Sequence, residues 1–205
     1  MIIAIDGPAG AGKSTVARGA ARELGYSYID TGALYRGIGV SVMRLGIDTK
    51  DREAVAACLP VPIDNTEAIR TPEASMAASD VAAIPAVRAF LLDTQREMAH
   101  KGDCILDGRD IGTVVLPNAD VKIFLTAKPE ERARRRWEEL KGKGAADSYE
   151  KVLAEVIARD DQDMNRAAAP LRQAQDSILL DTTGMDLEQS IQALLHIIRA
   201  KEDAA

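Results

Sequence analysis

The sequence predicts an α/β protein with a doubly wound parallel sheet, and three observations carry this prediction. Short apolar runs alternate along the chain with longer helical patterns, as in parallel sheets whose strands are joined by helices. The length of 205 residues allows one substantial core, and a composition of 46% hydrophobic and 28% charged residues is typical of a folded domain. The runs predict buried strands over residues 1–6, 26–30, 103–107, 121–126 and 177–183.

The segments that follow these strands are the first places to look for a ligand. In an open parallel sheet, ligands bind at the carboxyl ends of the strands. The segments are residues 6–15, 30–36, 107–112 and the chain from 127 onward.

Two inserts interrupt the alternation of strands and helices. The first opens with LPVPIDN at residue 59 and continues to residue 101 as helical stretches split by Pro85. The second covers residues 130–171 as two charged helices joined by a loose hinge at 141–148. Inserts of this kind in a compact core predict mobile arms around a site.

Composition excludes several classes of protein. A net charge of -6 and an aromatic content of 3% argue against a general nucleic-acid binder, which needs positive fields or stacking side chains. The two cysteines, Cys58 and Cys104, lie far apart among apolar residues and are predicted to be buried reduced thiols. The apolar run from Ile2 to Ile5 is shorter than the core of a signal peptide, so we expect no membrane association and a cytoplasmic location.

The strongest motif is a phosphate loop directly after the first strand. Residues 7–14 match the pattern G-x-x-x-x-G-K-[ST] and precede a helical pattern. In such a loop the backbone N–H groups surround phosphate oxygens, the lysine reaches the β and γ phosphates, and the hydroxyl ligates Mg²⁺. The ATP-binding residues are predicted to be Gly7, Pro8, Ala9, Gly10, Ala11, Gly12, Lys13, Ser14 and Thr15, with Ser14 as the metal ligand.

Hydrolysis and transfer to an acceptor are the two uses of a bound triphosphate. A GTPase would carry N-K-x-D or T-K-x-D, which is absent, and CILDGRD is only a loose version of the acidic strand of an ATPase motor. Transfer needs cations that neutralise a phosphate on a second substrate. Arg36 in DTGALYR and Arg109 in DGRDIG follow the second and third strands and meet this need.

A third group of charges lies on a predicted helix. Val152, Val156, Arg159, Asp163 and Arg166 share one helical face, so an apolar stripe continues as Arg, Asp, Arg. One interpretation is a solvated helix with weak internal salt bridges. Taken with the two arginine turns, the pattern favours a clamp for a sugar phosphate.

The chain as a whole resembles the bacterial cytidylate kinases, which transfer the γ-phosphoryl group of ATP to CMP or dCMP. The resemblance covers residues 2 to about 183 and goes well beyond the phosphate loop. The matching blocks are IDGPAGAGKST, YIDTGALYR, IRT at 69–71, AASDVAAIPAVR at 77–88, LDGRDIGTVVLPNADVKIFLTA at 106–127 and RDDQDMNRAAAPL at 159–171.

The resemblance implies a three-layer α/β/α P-loop kinase with five parallel strands. It implies a single domain with its core at 1–58, 102–129 and 172–205, a monophosphate-binding arm at about 59–101 and a lid at about 130–171. Many relatives carry a small β-rich insertion in this arm, but LPVPIDNTEAIRTP is too short to contain one, so we expect a mainly helical arm. We also expect a monomer with small-molecule substrates only.

The resemblance also implies roles for individual residues. Arg36, Arg109 and Arg159 would hold the phosphate of CMP, with Thr31 and Tyr35 lining its pocket. Ser79, Arg88 and Asp110 would read the cytosine edge, whose 4-amino donor and N3 and O2 acceptors suit an acid, an arginine and a hydroxyl. Asp163 and Arg166 would meet the ribose hydroxyls. The alternatives are another acceptor, such as UMP, AMP or shikimate, or a nucleotide-dependent switch.

Residues 130–140, EERARRRWEEL, present four arginines on the predicted lid. Ala133, Trp137 and Leu140 share one helical face and are predicted to pack. Arg134 has Glu130 and Glu138 four residues away, and Arg135 has Glu131 and Glu139, so both arginines are predicted to pair within the helix. Arg132 and Arg136 are predicted to lack a helical partner and to meet the phosphates of ATP as catalytic residues. Arg135 is a third candidate for this contact when the lid closes. The predicted catalytic set is therefore Lys13, Arg109, Arg132, Arg136 and Arg159.

Overall fold

The computed structural model of the chain describes residues 1–142, 144 and 146–203. Two positions of the predicted hinge at 141–148, residues 143 and 145, lie outside the described residues. Contacts divide the chain into a first unit, Met1–Ile29 with Gly102–Ala205, and a second unit, Asp30–Lys101. Residues 30–58, which were predicted for the core, group with the predicted arm in the second unit. The division into core, arm and lid stays a prediction.

The first unit is built on a five-stranded sheet in the order β2-β3-β1-β4-β5. Strand β1 pairs in parallel with β3 and β4, and β4 pairs in parallel with β5. All five predicted strands are confirmed, with ends that differ from the prediction by at most two residues. Their bounds are β1 (Ile2–Asp6), β2 (Ser27–Asp30), β3 (Cys104–Gly108), β4 (Val121–Thr126) and β5 (Ile178–Asp181).

Helices fill the intervals between the strands and both inserts. Within the described residues they are α1 (Lys13–Leu24), α2 (Thr31–Arg44), α3 (Arg52–Ala57), α4 (Pro72–Ala82), α5 (Pro85–Ala99), α6 (Pro129–Gly142), α7 (Tyr149–Asn165) and α8 (Leu187–Glu202). A 3₁₀ turn covers Glu67–Arg70 and a π-helical turn covers Ile111–Val115.

One face of the sheet forms the main core with α1 and α8. Ile3 and Ile5 of β1 are fully buried there with Ile123 and Leu125 of β4. Strands buried on both faces are apolar throughout, which is why short apolar runs were sufficient to find them. The core thereby fixes the end of β1, from which the phosphate loop emerges.

The second unit is helical, and α2 packs closely on α4. A Cβ atom at Gly39 would lie 2.7 Å from the Cβ atom of Ala77, so glycine permits the close approach of the two helices. Pro85 is the first residue of α5. A backbone N–H group at this position would have no hydrogen-bond partner within the helix, so its absence in proline costs nothing. Residues 59–101 contain helices and no strand, which confirms the expectation of a mainly helical segment.

The two helices of the predicted lid pack through their apolar faces. Ala133 of α6 is buried with Val152 and Val156 of α7, and Trp137 and Leu140 pack against them, as predicted. Helix α7 ends at Asn165, so the prediction that Arg166 lies on the helix is wrong. The physical reason is Pro170, because a proline ring in a continuing helix would clash with the carbonyl four residues earlier, that of Arg166.

Among the described residues, no single helix has the length and apolar character needed to cross a membrane. Helices α4 and α5 reach that threshold only as a pair, across a bend of 101°.

Candidate active site

The phosphate loop lies between β1 and α1, as predicted. Gly7, Gly10 and Gly12 have φ values of 152°, 73° and 86°, which L side chains rarely adopt. A Cβ atom at Gly7 would also lie 1.9 Å from the carbonyl oxygen of Leu125, so the backbone of the loop passes too close to β4 for any side chain. Gly12 precedes the first residue of α1. The N–H groups at the start of α1 thus face the loop, where an anion is stabilised.

Lys13 is buried beneath this loop, with 5% of its surface exposed. Its Nζ atom donates a 2.8 Å hydrogen bond to the carbonyl oxygen of Pro8. Burial and the nearby Arg109 lower the pKa of Lys13 to about 7, although Asp107 and Asp6 oppose the shift. A bound anion would favour the charged form of Lys13, so the site is electrostatically prepared for phosphate.

Ser14 joins the phosphate loop to the end of β3. The Ser14 hydroxyl donates a 2.6 Å hydrogen bond to Asp107 Oδ2, and the Tyr28 hydroxyl donates at 3.1 Å to Asp107 Oδ1. The sequence argument placed Asp107 in a loose ATPase-like motif and beside Arg109, where an acid could orient a metal, a base or an arginine, but it selected neither Asp107 nor Tyr28 as a site residue. The signal that could have found Asp107 is an acid at the carboxyl end of a buried strand.

The donors around Ser14 suit Mg²⁺. Within the described part of the chain, no group of three or more histidine, cysteine or acidic side chains is arranged to hold a metal ion. Mg²⁺ does not need such a cage, because it keeps several waters and takes one or two protein oxygens together with the phosphates of a substrate. The Ser14 hydroxyl and the Asp107 carboxylate are hard oxygen donors of this kind.

Part of the predicted sugar-phosphate clamp, without Arg36, lies around Arg109 in the first unit. Arg109 Nε donates a 2.8 Å hydrogen bond to Asp163 Oδ2. Arg166 Nη2 lies 3.6 Å from Asp110 Oδ1, although Arg166 follows the end of α7. Burial would raise the pKa of Asp163, but Arg109, Arg159 and Arg166 outweigh burial and hold that pKa below its usual range. The first unit therefore brings all five of these predicted residues together.

Asp6, which the sequence argument did not select, anchors the turn that follows Asp110. Its carboxylate oxygens accept 2.7 Å hydrogen bonds from the Ile111 and Gly112 N–H groups. Burial raises the pKa of Asp6 to about 6, although these two N–H groups oppose the shift.

Arg132 has no ion-pair partner among the residues of α6, as predicted, but it already pairs with an acid of α7. Arg132 is 2% exposed and forms an ion pair with Asp160 of α7, with Nη1 at 3.0 Å from Asp160 Oδ1. Arg132 Nη1 also donates at 2.9 Å to the Ala9 carbonyl oxygen, and Nε donates at 2.8 Å to the Ala127 carbonyl oxygen. The side chain turns inward, so its partners come from distant parts of the sequence. Arg132 therefore links the phosphate loop to both helices of the predicted lid.

The remaining three arginines of α6 pair largely within the helix. Arg134 pairs with Glu131 and Glu138, and Arg135 pairs with Glu131, while its Nη2 atom donates at 2.9 Å to the Thr182 carbonyl oxygen. The prediction that Arg136 lacks a helical partner is wrong, because Arg136 Nη1 lies 3.0 Å from Glu139 Oε2. The prediction considered only residues four apart, whereas residues three apart on a helix are neighbours as well.

The second unit holds the other predicted acceptor residues, which are Thr31, Tyr35, Arg36, Ser79 and Arg88. Arg36 Nη2 donates at 2.9 Å to Asp30 Oδ2, and Thr31 is buried at the start of α2. The guanidinium carbon of Arg88 lies 5.6 Å from the centre of the Tyr35 ring, and Arg88 Nη1 donates at 3.3 Å to the Ala82 carbonyl oxygen. The Ser79 hydroxyl donates at 3.4 Å to the Ser75 carbonyl oxygen.

Comparison with known proteins connects this site to one family. The model of the family described as Cytidylate kinase matches residues 3–200. The chain is 48% identical over 220 residues to the cytidylate kinase of Carboxydothermus hydrogenoformans, with 99% of each chain covered. It is 50% identical over 209 residues to the cytidylate kinase of Paramagnetospirillum magneticum, with 98% of each chain covered.

A solved structure supports the fold alone. The shikimate kinase of Bacteroides thetaiotaomicron is 16% identical to this chain, with a TM-score of 0.54 and coverage of 97% of this chain and 98% of that one. The likeness confirms the predicted three-layer α/β/α arrangement of P-loop kinases.

Proposed function

The chain belongs to the cytidylate kinase family, and we propose that it transfers the γ-phosphoryl group of ATP to CMP or dCMP, giving ADP and CDP or dCDP. The observation that carries this proposal is the pairing of two strand ends. Ile5 of β1 lies opposite Asp107 of β3, so the phosphate loop and the turn of Arg109 leave the sheet side by side. A donor triphosphate and an acceptor phosphate need this proximity.

Residues 7–15 would bind the phosphates of ATP. Backbone N–H groups of the glycine-rich loop and the start of α1 would hold the phosphate oxygens, and Lys13 would contact the β and γ phosphates. Mg²⁺, when bound with ATP at Ser14, supplies positive charge that offsets the charge on the phosphate oxygens. Asp107 would keep the Ser14 hydroxyl oriented through their 2.6 Å hydrogen bond.

CMP would be held by arginines for its phosphate and by mixed polar groups for its base and ribose. Arg36, Arg109 and Arg159 are the proposed phosphate ligands, and Thr31 and Tyr35 are the proposed pocket-lining residues. Ser79, Arg88 and Asp110 are the proposed cytosine ligands, and Asp163 and Arg166 the proposed ribose ligands. In the structure Asp163 pairs with Arg109, so ribose binding would compete with this ion pair.

Catalysis would consist of positioning and charge neutralisation. An oxygen of the CMP phosphate is already anionic at neutral pH, so the attack on the γ phosphorus needs no general base. Fixed cations that face the transferring group stabilise charge most effectively where water is excluded. Closure of the lid and the arm over the substrates would supply that exclusion.

Arg132 and Arg136 would contribute in different ways. Arg136 is 42% exposed, and its pair with Glu139 is of the exposed i, i+3 kind worth at most about 0.5 kcal/mol, so it is free to exchange Glu139 for a phosphate of ATP. Arg132 is buried and paired, and we propose that it acts through the Ala9 carbonyl oxygen as a positioning residue of the phosphate loop.

The test is the initial rate of ADP formation with each of CMP, dCMP, UMP, AMP, GMP and shikimate, against a control without acceptor. We expect CMP and dCMP to give the highest rates. A preference for another acceptor would support a different kinase, and ADP formation independent of any acceptor would support a nucleotide-dependent switch. The Lys13→Met variant serves as the control for contaminating kinases. The cytoplasmic location and the monomeric state stay predictions.

A further inference from the structure

Asp6 is a buried acid whose contacts the proposed reaction does not use directly. It is the last residue of β1, it is 5% exposed, and Gly7 of the phosphate loop follows it. Its two carboxylate oxygens accept one N–H each, from Ile111 and from Gly112, both at 2.7 Å. Such a bidentate contact fixes both the position and the orientation of the peptide that supplies the two donors.

The segment that Asp6 holds follows directly after Arg109 and Asp110, two of the proposed CMP ligands. Ile111 and Gly112 open the π-helical turn Ile111–Val115, and Arg109 and Asp110 directly precede it. The first N–H groups of a helical turn have no partner inside the turn, so the Asp6 carboxylate supplies the bonds that the turn cannot make itself. The N–H groups at the other end of the turn are hydrogen-bonded locally, since Val114 N and Val115 N donate to the Asp110 carbonyl oxygen.

We propose that Asp6 is a positioning residue for the acceptor, because its carboxylate holds the turn that presents Arg109 and Asp110. This inference rests on the proposed function, in which Arg109 meets the phosphate and Asp110 the base of CMP. Asp6 and the phosphate loop are contiguous, so one residue sets the spacing between the donor loop and the acceptor turn. Burying a carboxylate is costly unless it is well hydrogen-bonded, and both of its oxygens are satisfied here by the turn.

The surroundings of Gly112 fit this role. A Cβ atom at Gly112 would lie 3.2 Å from Lys122 Cδ, a tight distance, and 3.4 Å from Asp6 Oδ2, at the limit of ordinary van der Waals contact. A side chain at this position would therefore require its neighbours, the Asp6 carboxylate among them, to shift by a few tenths of an ångström.

The test is the Asp6→Asn variant, assayed for the KM of CMP and the KM of ATP. Asparagine keeps the size of the side chain but offers one acceptor oxygen, and its NH₂ group would face one of the two N–H donors. We expect the KM of CMP to rise by about tenfold or more while the KM of ATP changes by less than about threefold. An unchanged KM of CMP, or an equal rise in both values, would overturn the proposal.

Hydrogen exchange supplies a readout that does not depend on activity. In Asp6→Asn the Ile111 and Gly112 N–H groups should exchange faster than in the parent chain, whereas exchange in the remote helix α8 should stay the same. Unchanged exchange at Ile111 and Gly112 would overturn the proposal. If the parent chain failed to phosphorylate CMP, the proposed function would fall by itself, and exchange would still decide whether Asp6 holds the turn.

Two further variants guard against a purely structural effect. Asp120 accepts a 2.6 Å hydrogen bond from the Ile2 N–H group at the opposite end of β1, so Asp120→Asn makes the same chemical change at a hydrogen-bonded carboxylate away from the site. It should leave both KM values unchanged, and a rise in the KM of CMP with Asp120→Asn would count against a specific role for Asp6. If Asp6→Asn does not fold, Gly112→Ala carries the test: we expect a rise of about two- to fivefold in the KM of CMP alone, and an unchanged value would overturn the proposal.

Discussion

The Ser14 hydroxyl donates a 2.6 Å hydrogen bond to the Asp107 carboxylate, and this bond joins the phosphate loop to the neighbouring strand β3. Asp107 accepts a second bond from the Tyr28 hydroxyl at 3.1 Å, so both of its oxygens are engaged. A residue that orients a metal ligand in this way controls how well the ion is held.

We therefore predict that Asp107→Asn lowers kcat by about 10- to 100-fold and raises the Mg²⁺ concentration needed for half-maximal activity. Asparagine has one acceptor for two donors, and it lacks the negative charge. Titration of activity with Mg²⁺ measures both effects. Tyr28→Phe is the matched control, because it removes only the second bond; an effect as large as that of Asp107→Asn would show that the Ser14 contact is not the important one.

Lys13→Met should separate activity from stability. Removal of the lysine charge should reduce kcat by about 10²- to 10³-fold, the usual effect of losing one electrostatic contact in a transition state. The free energy of unfolding should not fall, because burial disfavours the charged amine and lowers its pKa to about 7. Denaturant unfolding and steady-state kinetics on the same preparation check this prediction. Unimpaired turnover would contradict the assignment of the phosphate loop.

Replacement by alanine should have different effects on stability at Arg132 and at Arg136, the two arginines of α6 that were predicted together as catalytic residues. Arg132→Ala should lower the free energy of unfolding by about 3 kcal/mol, because Asp160, whose side chain is 13% exposed, would lose its partner. Arg136→Ala should change stability by less than about 0.5 kcal/mol, since its pair is exposed, while reducing kcat. Urea unfolding and measurement of kcat distinguish the two variants. Equal losses of stability would contradict the argument from burial. An unchanged kcat in Arg136→Ala would show that Arg136 has no role in catalysis.

Gln95 offers a stability prediction that is independent of function. It is 1% exposed, and neither the nitrogen nor the oxygen of its amide has a hydrogen-bond partner among the residues that the structure describes. Replacing an unsatisfied buried amide by an apolar side chain of similar size removes a desolvation cost of about 1–3 kcal/mol. Gln95→Leu should therefore raise the melting temperature, whereas Gln192→Leu on the exposed face of α8 should change it little. A lower melting temperature for Gln95→Leu would show that buried water satisfies the amide.

Asp6 predicts a pH dependence of stability. Its pKa is raised from 3.8 to about 6, so between those pH values the folded chain holds more protons than the unfolded chain. The contribution of Asp6 to the free energy of unfolding is therefore fully present below about pH 4 and is lost as the pH rises to about 6. The difference in free energy of unfolding between the parent chain and Asp6→Asn should fall across this window. A difference that rises with pH would contradict the sign of the shift.

Patterns of local sequence were sufficient for the fold and for the phosphate loop. The three inner strands β1, β3 and β4 appear as apolar runs because they are largely buried in the sheet. The glycine, lysine and serine spacing of residues 7–14, between a strand and a helical pattern, located the loop between β1 and α1. Helical periodicity also placed Ala133, Trp137 and Leu140 on the packed face of α6 correctly. These features depend on neighbours along the chain, which periodicity describes.

Such patterns could not predict contacts between residues that are far apart in the sequence. Ser14 and Asp107 are 93 positions apart, Arg132 and Asp160 are 28 apart, and Asp6 and Gly112 are 106 apart. Helical spacing describes only positions within one helix, so it left Arg132 without a partner and extended α7 to Arg166. The end of α7 and the inward turn of Arg132 follow from Pro170 and from tertiary packing.

The central claim is that the γ-phosphoryl group of ATP passes to CMP. The most direct test follows γ-labelled ATP in a single turnover with excess enzyme and CMP. The proposed function predicts that the label appears in CDP in equal amount to the ADP formed, and that Lys13→Met slows this transfer by about 10²- to 10³-fold. Label released as inorganic phosphate at the same rate with and without CMP would contradict the claim.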